Sequence, residues 1–119
     1  MKTKGFVSSV QLGRHFAQHG AGFGAGNIAE YERLADMFLG DTKPPHVQEC
    51  FRSRGDCVRF DPSTNEYGVV DSGGIIRTYF KPVPCSSLPA SIRNAIRMAG
   101  RCHGQASNLL YFQSECARW

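Results

Sequence analysis

Residues 67–83 read YGVVDSGGIIRTYFKPV, and this stretch predicts two β-strands joined by a tight turn. The turn falls at residues 71–74, where a pair of glycines supplies the positive φ that a hairpin turn needs. The flanking residues are β-branched or aromatic types that suit a half-buried pleated surface, namely Val69, Val70, Ile75, Ile76, Tyr79 and Phe80. The stretch therefore predicts a hairpin at the centre of a small antiparallel sheet.

The second strand of this hairpin carries two polar residues side by side. Because side chains alternate along a strand, Arg77 and Thr78 are predicted to point to opposite faces of the sheet. The alternation groups Ile76, Thr78 and Phe80 on one face, and Ile75, Arg77, Tyr79 and Lys81 on the other. A cation and a hydroxyl at these positions do little for packing, so both are candidate site residues.

Two amphipathic helices are predicted before the sheet, within residues 8–40. Ser8 or Ser9 caps the first helix, and Gly20 ends it. The second helix starts with a capping-box pattern at Asn27. Its apolar stripe consists of Ile28, Tyr31, Leu34, Ala35 and Phe38.

The sheet is predicted over about residues 56–83, as a three-stranded antiparallel meander. Residues 57–60 form the strand before the hairpin, whereas residues 47–51 either start the sheet or form a short helix. Residues 1–7 read as a loose lead-in. The predicted fold class is α+β, with the N-terminal helices packed on a small antiparallel sheet in one domain over residues 1–119.

The part of the chain after the sheet, residues 87–119, is basic and is predicted to be largely helical. A helix over residues 88–99 would turn its apolar residues inward, namely Leu88, Ile92, Ala95, Ile96 and Ala99. Arg93, Arg97 and Arg101 then form an outward stripe. This stripe is either a solvated helix face or a groove for RNA backbone or an acidic protein. Residues 108–113 form a last strand or a helix.

The net charge of +4 is unevenly distributed along the chain. Residues 1–76 hold eight Lys or Arg and nine Asp or Glu, a net charge of −1. Residues 77–119 hold six Lys or Arg and only Glu115, a net charge of +5. This asymmetry suits a polyanionic partner, nucleic acid first, although a solvated basic surface gives the same count. No run approaches the ~20 apolar residues of a membrane helix, so no membrane anchor is expected.

Five cysteines occur, and no two of them are in a Cys-x-x-Cys pattern. Zinc binding by Cys50, Cys57 and the pair Cys102-His103 is conceivable, but the spacing matches no common zinc site. One disulfide is the better interpretation if the chain is exported. Free and mostly buried thiols are the default expectation.

Two histidines in the first predicted helix are one turn apart. His15 and His19 are four residues apart, so their rings can reach a common point. A partly buried imidazole bonded to a carbonyl is the usual state of a single helical histidine, and that alternative stays open for the pair.

The two histidines, together with Arg77 and Thr78, suit the cleavage of RNA without a metal ion. One histidine would take the proton from a ribose 2′-OH, and another group would protonate the departing 5′ oxygen. Arg77 would neutralise the charge that builds on the phosphate, and Thr78 would donate a hydrogen bond to it. The candidate substrate-binding residues are Tyr67, Tyr79, Lys81, Arg93 and Arg97. Neither a carboxylate pair for glycosidase chemistry nor a metal-ligand motif stands out, so no metal and no cofactor are expected.

Part of the chain, roughly residues 12–83, also resembles a known group of proteins. The matching positions are His15 to Gly20, Phe23-Gly24, Tyr31, Ala35, Phe38, Gly68 to Val70 and Gly74 to Pro82. They are similar to the C-terminal ribonuclease toxin domains of bacterial polymorphic and contact-dependent growth-inhibition toxins. These domains belong to the large grouping with barnase, colicin D and RelE-like nucleases. Residues 84–119 match no pattern of this kind.

The resemblance implies an RNA-cleaving toxin that is secreted or delivered from the cell surface within a larger protein and acts in the cytoplasm of a target cell. Members of this group commonly cleave tRNA or other RNA without a metal, and a cognate immunity protein blocks them. Carried over, the resemblance implies His15 or His19 as general acid or base, with Arg77 and Thr78 on the phosphate. The expected product is a 2′,3′-cyclic phosphate.

Two other classes of function stay open at this point. A non-catalytic module that binds nucleic acid or protein would use the arginines at 93, 97 and 101, and its histidines would be structural. A DNase-type or thiol-dependent enzyme would need a metal or one reactive cysteine.

Overall fold

A computed structural model describes residues 2–98 and 100–119. Its helices and strands are, in chain order, α1 (Ser9–His19), α2 (Ile28–Gly40), β1 (Gln48–Phe51), β2 (Cys57–Asp61), β3 (Glu66–Val70), β4 (Ile76–Phe80), α3 (Ala90–Met98) and α4 (Asn108–Cys116). The four strands form one antiparallel sheet in the order β1-β2-β3-β4. The α+β class is confirmed, and residues 48–51 add a fourth strand to the predicted three.

Both N-terminal helices begin at the side-chain caps that the sequence predicts. The Ser8 hydroxyl accepts a hydrogen bond from the Gln11 backbone N–H at the start of α1. The Asn27 side chain accepts one from the Glu30 backbone N–H at the start of α2. These contacts satisfy backbone donors that have no partner within the helix.

The hairpin between β3 and β4 contains a β-bulge that changes which side chains share a face. Val70 pairs with Ile76, but Val69 pairs with Thr78, so Arg77 is an extra residue in β4. The predicted alternation along this strand was therefore wrong at Ile76. Ile76 lies with Tyr79 in the core against α2, whereas Thr78 keeps its predicted place on the same face as Phe80.

The sheet is covered on both faces. On one face, the side chains of α1 and α2 pack against β3 and β4 around a buried group made of Phe6, Tyr31, Ala35, Leu39, Val70, Ile76 and Tyr79. On the other face, α4 packs on the sheet through Phe112, which joins Val58, Phe60, Tyr67 and Val69. The predicted ambiguity over residues 108–113 is thus settled as a helix.

Residues 2–7 are not a loose lead-in as predicted. Phe6 is buried and forms a parallel bridge with Ile76 at the free edge of β4. The Lys4 N–H donates to the Gly74 carbonyl, and the Ile76 N–H donates to the Gly5 carbonyl. These backbone hydrogen bonds cover part of an edge strand, and the sequence signal missed them because the segment is too short to show a strand period.

The predicted orientation of α3 was wrong in part, although Leu88 and Ile96 are half-buried and Arg97 is exposed as predicted. Ile92 is 45% exposed and Ala95 is exposed, whereas Arg93 is half-buried and donates a hydrogen bond to the Leu88 carbonyl. The helix packs mainly beside the 3₁₀ turn at Cys85–Ser87, so part of its apolar side stays exposed. The predicted inward position of Ala99 lies outside the described residues.

Four of the five cysteines form disulfides, so the expectation of free thiols was wrong for them. Cys50 in β1 is bonded to Cys116 at the end of α4, and Cys85 is bonded to Cys102. Both Cys50 and Cys102 are therefore unable to bind zinc as thiolates. Only Cys57 is a free thiol.

Within residues 2–98 and 100–119, no helix combines the length and the apolar character that crossing a membrane requires.

Candidate active site

A pocket of about 680 Å³ lies between α1, the end of β4 and the segment that follows α3. The lining side chains that carry chemistry are His15, His19, Thr78, Lys81, Arg101 and His103. No Asp or Glu is among the described residues that line it. The pocket is therefore basic, and it brings these groups together from three separate parts of the chain.

The two histidines of α1 form one wall of this pocket. Their ring centroids are 6.0 Å apart, as their spacing of one helical turn predicts. The ring of His15 also lies against Phe6, and the ring of His19 stacks on Phe80 with centroids 5.1 Å apart. These apolar contacts hold both imidazoles in place without removing them from the pocket.

Both histidines favour the neutral form. Burial lowers the pKa of His15, and the charge of Arg14 lowers it further. Burial also lowers the pKa of His19, with a second contribution from His15. The His15 Nδ1 atom is buried and has no hydrogen-bond partner among the described residues. His15 Nδ1 is thus not bonded to a backbone carbonyl, which was the alternative left open by the sequence.

Two cations give the pocket its charge. Lys81 follows β4 directly, and its ammonium lies 5.3 Å from the centre of the Phe23 ring. Arg101 is exposed and lines the pocket within the segment that follows α3. Glu115, the one acid after residue 76, pairs with Arg52 and Arg118 and is not among the described residues that line the pocket. The field inside the pocket therefore suits an anion such as phosphate.

Thr78 lines the pocket from the face of the sheet that the sequence predicts for it. Its pairing with Val69 puts its side chain on the face away from α2, next to Phe80 and beside the His pair. A threonine hydroxyl is a donor that can serve a phosphate oxygen. The sequence prediction that Thr78 lies with His15 and His19 agrees with this placement.

Arg77 does not join the histidines. Its guanidinium is 3.9 Å from the Asp71 carboxylate, and it lines a separate shallow pocket of about 360 Å³ that also contains Arg54 and Asp56. Arg77 therefore lies apart from Thr78, as the predicted alternation implies, and outside the described lining of the basic pocket. The prediction that Arg77 and the two histidines contact the same phosphate was therefore wrong, because they line different pockets.

Tyr67 and Tyr79 are core residues and are closed to substrate. Both are almost completely buried, and the Tyr79 hydroxyl donates to the Glu66 carboxylate. Burial raises the pKa of each hydroxyl far above its ordinary value. Their predicted roles in stacking on a base or orienting the phosphate are therefore corrected.

Arg93 and Arg97 also lie outside the set of described residues that line the pocket. Arg97 is exposed on α3, and Arg93 is turned back towards the start of its own helix. Of the predicted stripe, only Arg101 reaches the pocket.

His103 and Tyr111 are pocket residues that the sequence reasoning did not assign to this site. The His103 ring stacks on Tyr111 with centroids 4.4 Å apart. His103 Nδ1 accepts a hydrogen bond from the Gln105 backbone N–H, and Nε2 faces the Asn108 side-chain oxygen at 2.8 Å. His103 was considered only as a zinc ligand, because no local pattern links residue 103 to a helix that begins at residue 108.

The free thiol of Cys57 does not suit a nucleophile. Burial raises its pKa to about 11, and the nearby Glu49 carboxylate adds to this effect. A thiol in this environment is protonated at neutral pH and so reacts slowly. Among the described residues, no group of three or more His, Cys, Asp or Glu side chains is placed to hold a metal ion.

Neither the known protein-family models nor the curated protein sequences match this chain.

Proposed function

We propose that the chain is a metal-independent endoribonuclease whose active site is the basic pocket. The observation that carries this proposal is the placement of His15, His19 and Thr78 in one acid-free pocket with Lys81 and Arg101. Two imidazoles, a hydroxyl donor and two cations are the groups that phosphodiester transfer without a metal uses. Arg77 has no part in the proposed reaction, because it lies outside the described lining of this pocket.

The reaction that these groups support is attack of a ribose 2′-OH on its own 3′ phosphate. One imidazole of the His15 and His19 pair takes the 2′ proton as the new O–P bond forms. The other, as imidazolium, gives a proton to the 5′ oxygen as the P–O bond to the next nucleotide breaks. The products are a 2′,3′-cyclic phosphate and a 5′-OH.

The pair suits this division of roles because its two protonation steps are coupled. The lowered pKa of each ring, and the effect of His15 on the pKa of His19, disfavour the state with two protons. A bound phosphate favours the charged form of a nearby imidazole. The complex with RNA is therefore expected to hold one proton on the pair, which leaves one base and one acid.

The remaining groups would act on the phosphate itself. Lys81 and Arg101 would attract the RNA backbone and offset the negative charge that grows in the transition state. Thr78 would donate a hydrogen bond to a non-bridging oxygen.

The biological setting rests on the resemblance to contact-dependent and polymorphic toxin domains. On that basis, the substrate is tRNA or another cellular RNA, and the partner that blocks the enzyme is a cognate immunity protein. The chain would then be delivered within a larger secreted or cell-surface protein and would act in the cytoplasm of the target cell.

A matched pair of oligonucleotides tests the proposed reaction. The first is single-stranded RNA that the protein cuts, and the second has the same sequence with a 2′-deoxyribose at the cut position. We expect cleavage of the first alone, because the second lacks the nucleophile. Salt-sensitive binding of both without any product would support the non-catalytic binding module instead.

A further inference from the structure

Both ring nitrogens of His103 have hydrogen-bond partners. Nδ1 accepts from the Gln105 N–H, so the ring proton lies on Nε2 and is donated to the Asn108 side-chain oxygen. Asn108 is in turn fixed by a hydrogen bond from its side-chain nitrogen to the Asn65 side-chain oxygen. A histidine held in this way has no free nitrogen for proton transfer, so its place in the pocket calls for another role.

The backbone of His103 is fixed by hydrogen bonds, and one face of its ring is covered by another aromatic ring. The His103 N–H donates to the Val83 carbonyl, and the Cys85 N–H donates to the His103 carbonyl, beside the disulfide between Cys85 and Cys102. Tyr111 covers one ring face at an interplanar angle of 19°. Tyr111 itself packs against Tyr67, which is buried in the core.

We infer that the second face of the His103 ring is a stacking platform for one unpaired nucleobase of single-stranded RNA. One face of the half-buried ring is covered and both nitrogens are bonded, and the residue lines the pocket, so the remaining π surface is the part of the ring that we assign to the base. Lys81 and Arg101 line the same pocket and would hold the adjoining phosphates. A cationic groove combined with a flat aromatic ring is the usual way in which proteins bind single-stranded nucleic acid.

This inference deepens the proposed function and rests on it, because it names unpaired RNA as the substrate class. It also predicts that the protein does not depend on the base-pairing edge of the stacked base for affinity. Stacking is tolerant of sequence because every base has a π face.

The test uses a fluorescent 2′-O-methyl RNA oligonucleotide, which the protein cannot cut, and fluorescence anisotropy at fixed salt. For His103→Ala, we expect Kd to rise by about 10-fold, the scale of one lost base stack. For His103→Phe, which keeps a flat ring and loses both nitrogens, we expect Kd close to wild type. His46→Ala is the matched control, because His46 is an exposed histidine that pairs with Asp61 outside both pockets.

A second set of oligonucleotides, each with one abasic ribose, locates the stacked base. One abasic position should weaken wild type by about 10-fold and leave His103→Ala unaffected. Equal losses in His103→Ala and His103→Phe would overturn the inference, as would no loss in either or no binding by wild type. If wild type binds with this pattern but never cleaves unmodified RNA, the proposed nuclease fails while the stacking platform stands.

Discussion

The imidazole rings of His15 and His19 lie 6.0 Å apart on one wall of a pocket that contains two cations and no acid among its described lining residues. Each ring is held by an aromatic neighbour, Phe6 or Phe80, and burial keeps the pKa of each ring low. The pair thus has fixed positions and protonation states that respond to one another. The first two predictions depend on this relationship.

Replacing either histidine should remove catalysis and leave the fold intact. We expect His15→Ala and His19→Ala each to lower kcat/KM for RNA cleavage by about 10²–10⁴-fold, the scale for one acid or base group. The double variant should be little worse than the single variants, because the two groups act as a unit. Thermal unfolding followed by circular dichroism checks the fold, and His46→Ala should keep full activity.

The pH profile should have its optimum on the acidic side of the ordinary histidine value. The free enzyme is active when the pair holds one proton, and both pKa values are lowered from 6.5. We therefore expect a bell-shaped profile of kcat/KM with its maximum below pH 6.5. The profile of kcat should lie at higher pH, because bound phosphate raises the pKa of the pair. A kcat/KM maximum near pH 8 would contradict this assignment.

Substitutions of Thr78 and Arg77, which are neighbours in sequence, should have different effects on the cleavage rate. Thr78→Val should lower kcat and kcat/KM together by about 10²-fold, as expected for a donor that acts in the transition state. Thr78→Ser keeps the hydroxyl and should recover most of the rate. Arg77→Gln should change the rate only slightly, because Arg77 pairs with Asp71 in the other pocket. A loss of activity in Arg77→Gln as large as that in Thr78→Val would restore Arg77 to the site.

The sequence was sufficient for the local features of the site and insufficient for the features made by distant contacts. The spacing of His15 and His19 and the caps of α1 and α2 depend on a few adjacent residues, and these predictions are confirmed. The strict alternation along β4 failed because one extra residue shifts the register against β3. No residue type marks such a bulge, so the place of Ile76 was not foreseeable from periodicity, whereas the opposite faces of Arg77 and Thr78 were predicted.

In residues 87–119, too, the sequence did not predict the features that depend on distant contacts. The amphipathic pattern of α3 predicts a buried face correctly only if a sheet lies beneath it, and here the helix packs mainly on the turn Cys85–Ser87. His103 enters the pocket through its contacts with Tyr111 and Asn108, which depend on where α4 packs. The sequence around residue 103 does not predict where α4 packs, so it did not predict that His103 lines the pocket.

The two pocket cations should contribute to RNA affinity and to its salt dependence. Lys81→Gln and Arg101→Gln should each weaken binding of single-stranded RNA, and each should reduce the slope of log K against log salt concentration by ~0.7. Arg97→Gln is the matched control, because Arg97 is exposed on α3 and does not line the pocket. If Arg97→Gln reduces the slope as much as Arg101→Gln, the RNA follows the helix surface and not the pocket.

Removing each of the two disulfides should have different effects on the free energy of unfolding and on the cleavage rate. Breaking the bond between Cys50 and Cys116, 66 residues apart, should cost about 4 kcal/mol in the free energy of unfolding. Breaking the bond between Cys85 and Cys102, 17 residues apart, should cost about 3 kcal/mol. Cys102 lies between Arg101 and His103 in the pocket wall, so the double Ala variant of the second pair should lose more activity per folded molecule.

Denaturant titration gives the stabilities, and single-turnover cleavage at a temperature where both variants are folded gives the rates. A larger loss of rate for the variant without the Cys50 to Cys116 bond would show that the segment of residues 100–103 does not need its disulfide.

The most direct test of the account is cleavage of purified tRNA and rRNA in excess chelator, by wild type and by the His15→Ala/His19→Ala variant in parallel. The account predicts discrete fragments that end in a 2′,3′-cyclic phosphate from wild type and intact RNA from the variant. The same fragments from both proteins, with the variant shown to be pure and folded, would contradict the assignment of catalysis to the histidine pair. Intact RNA with folded wild type would contradict metal-independent cleavage itself.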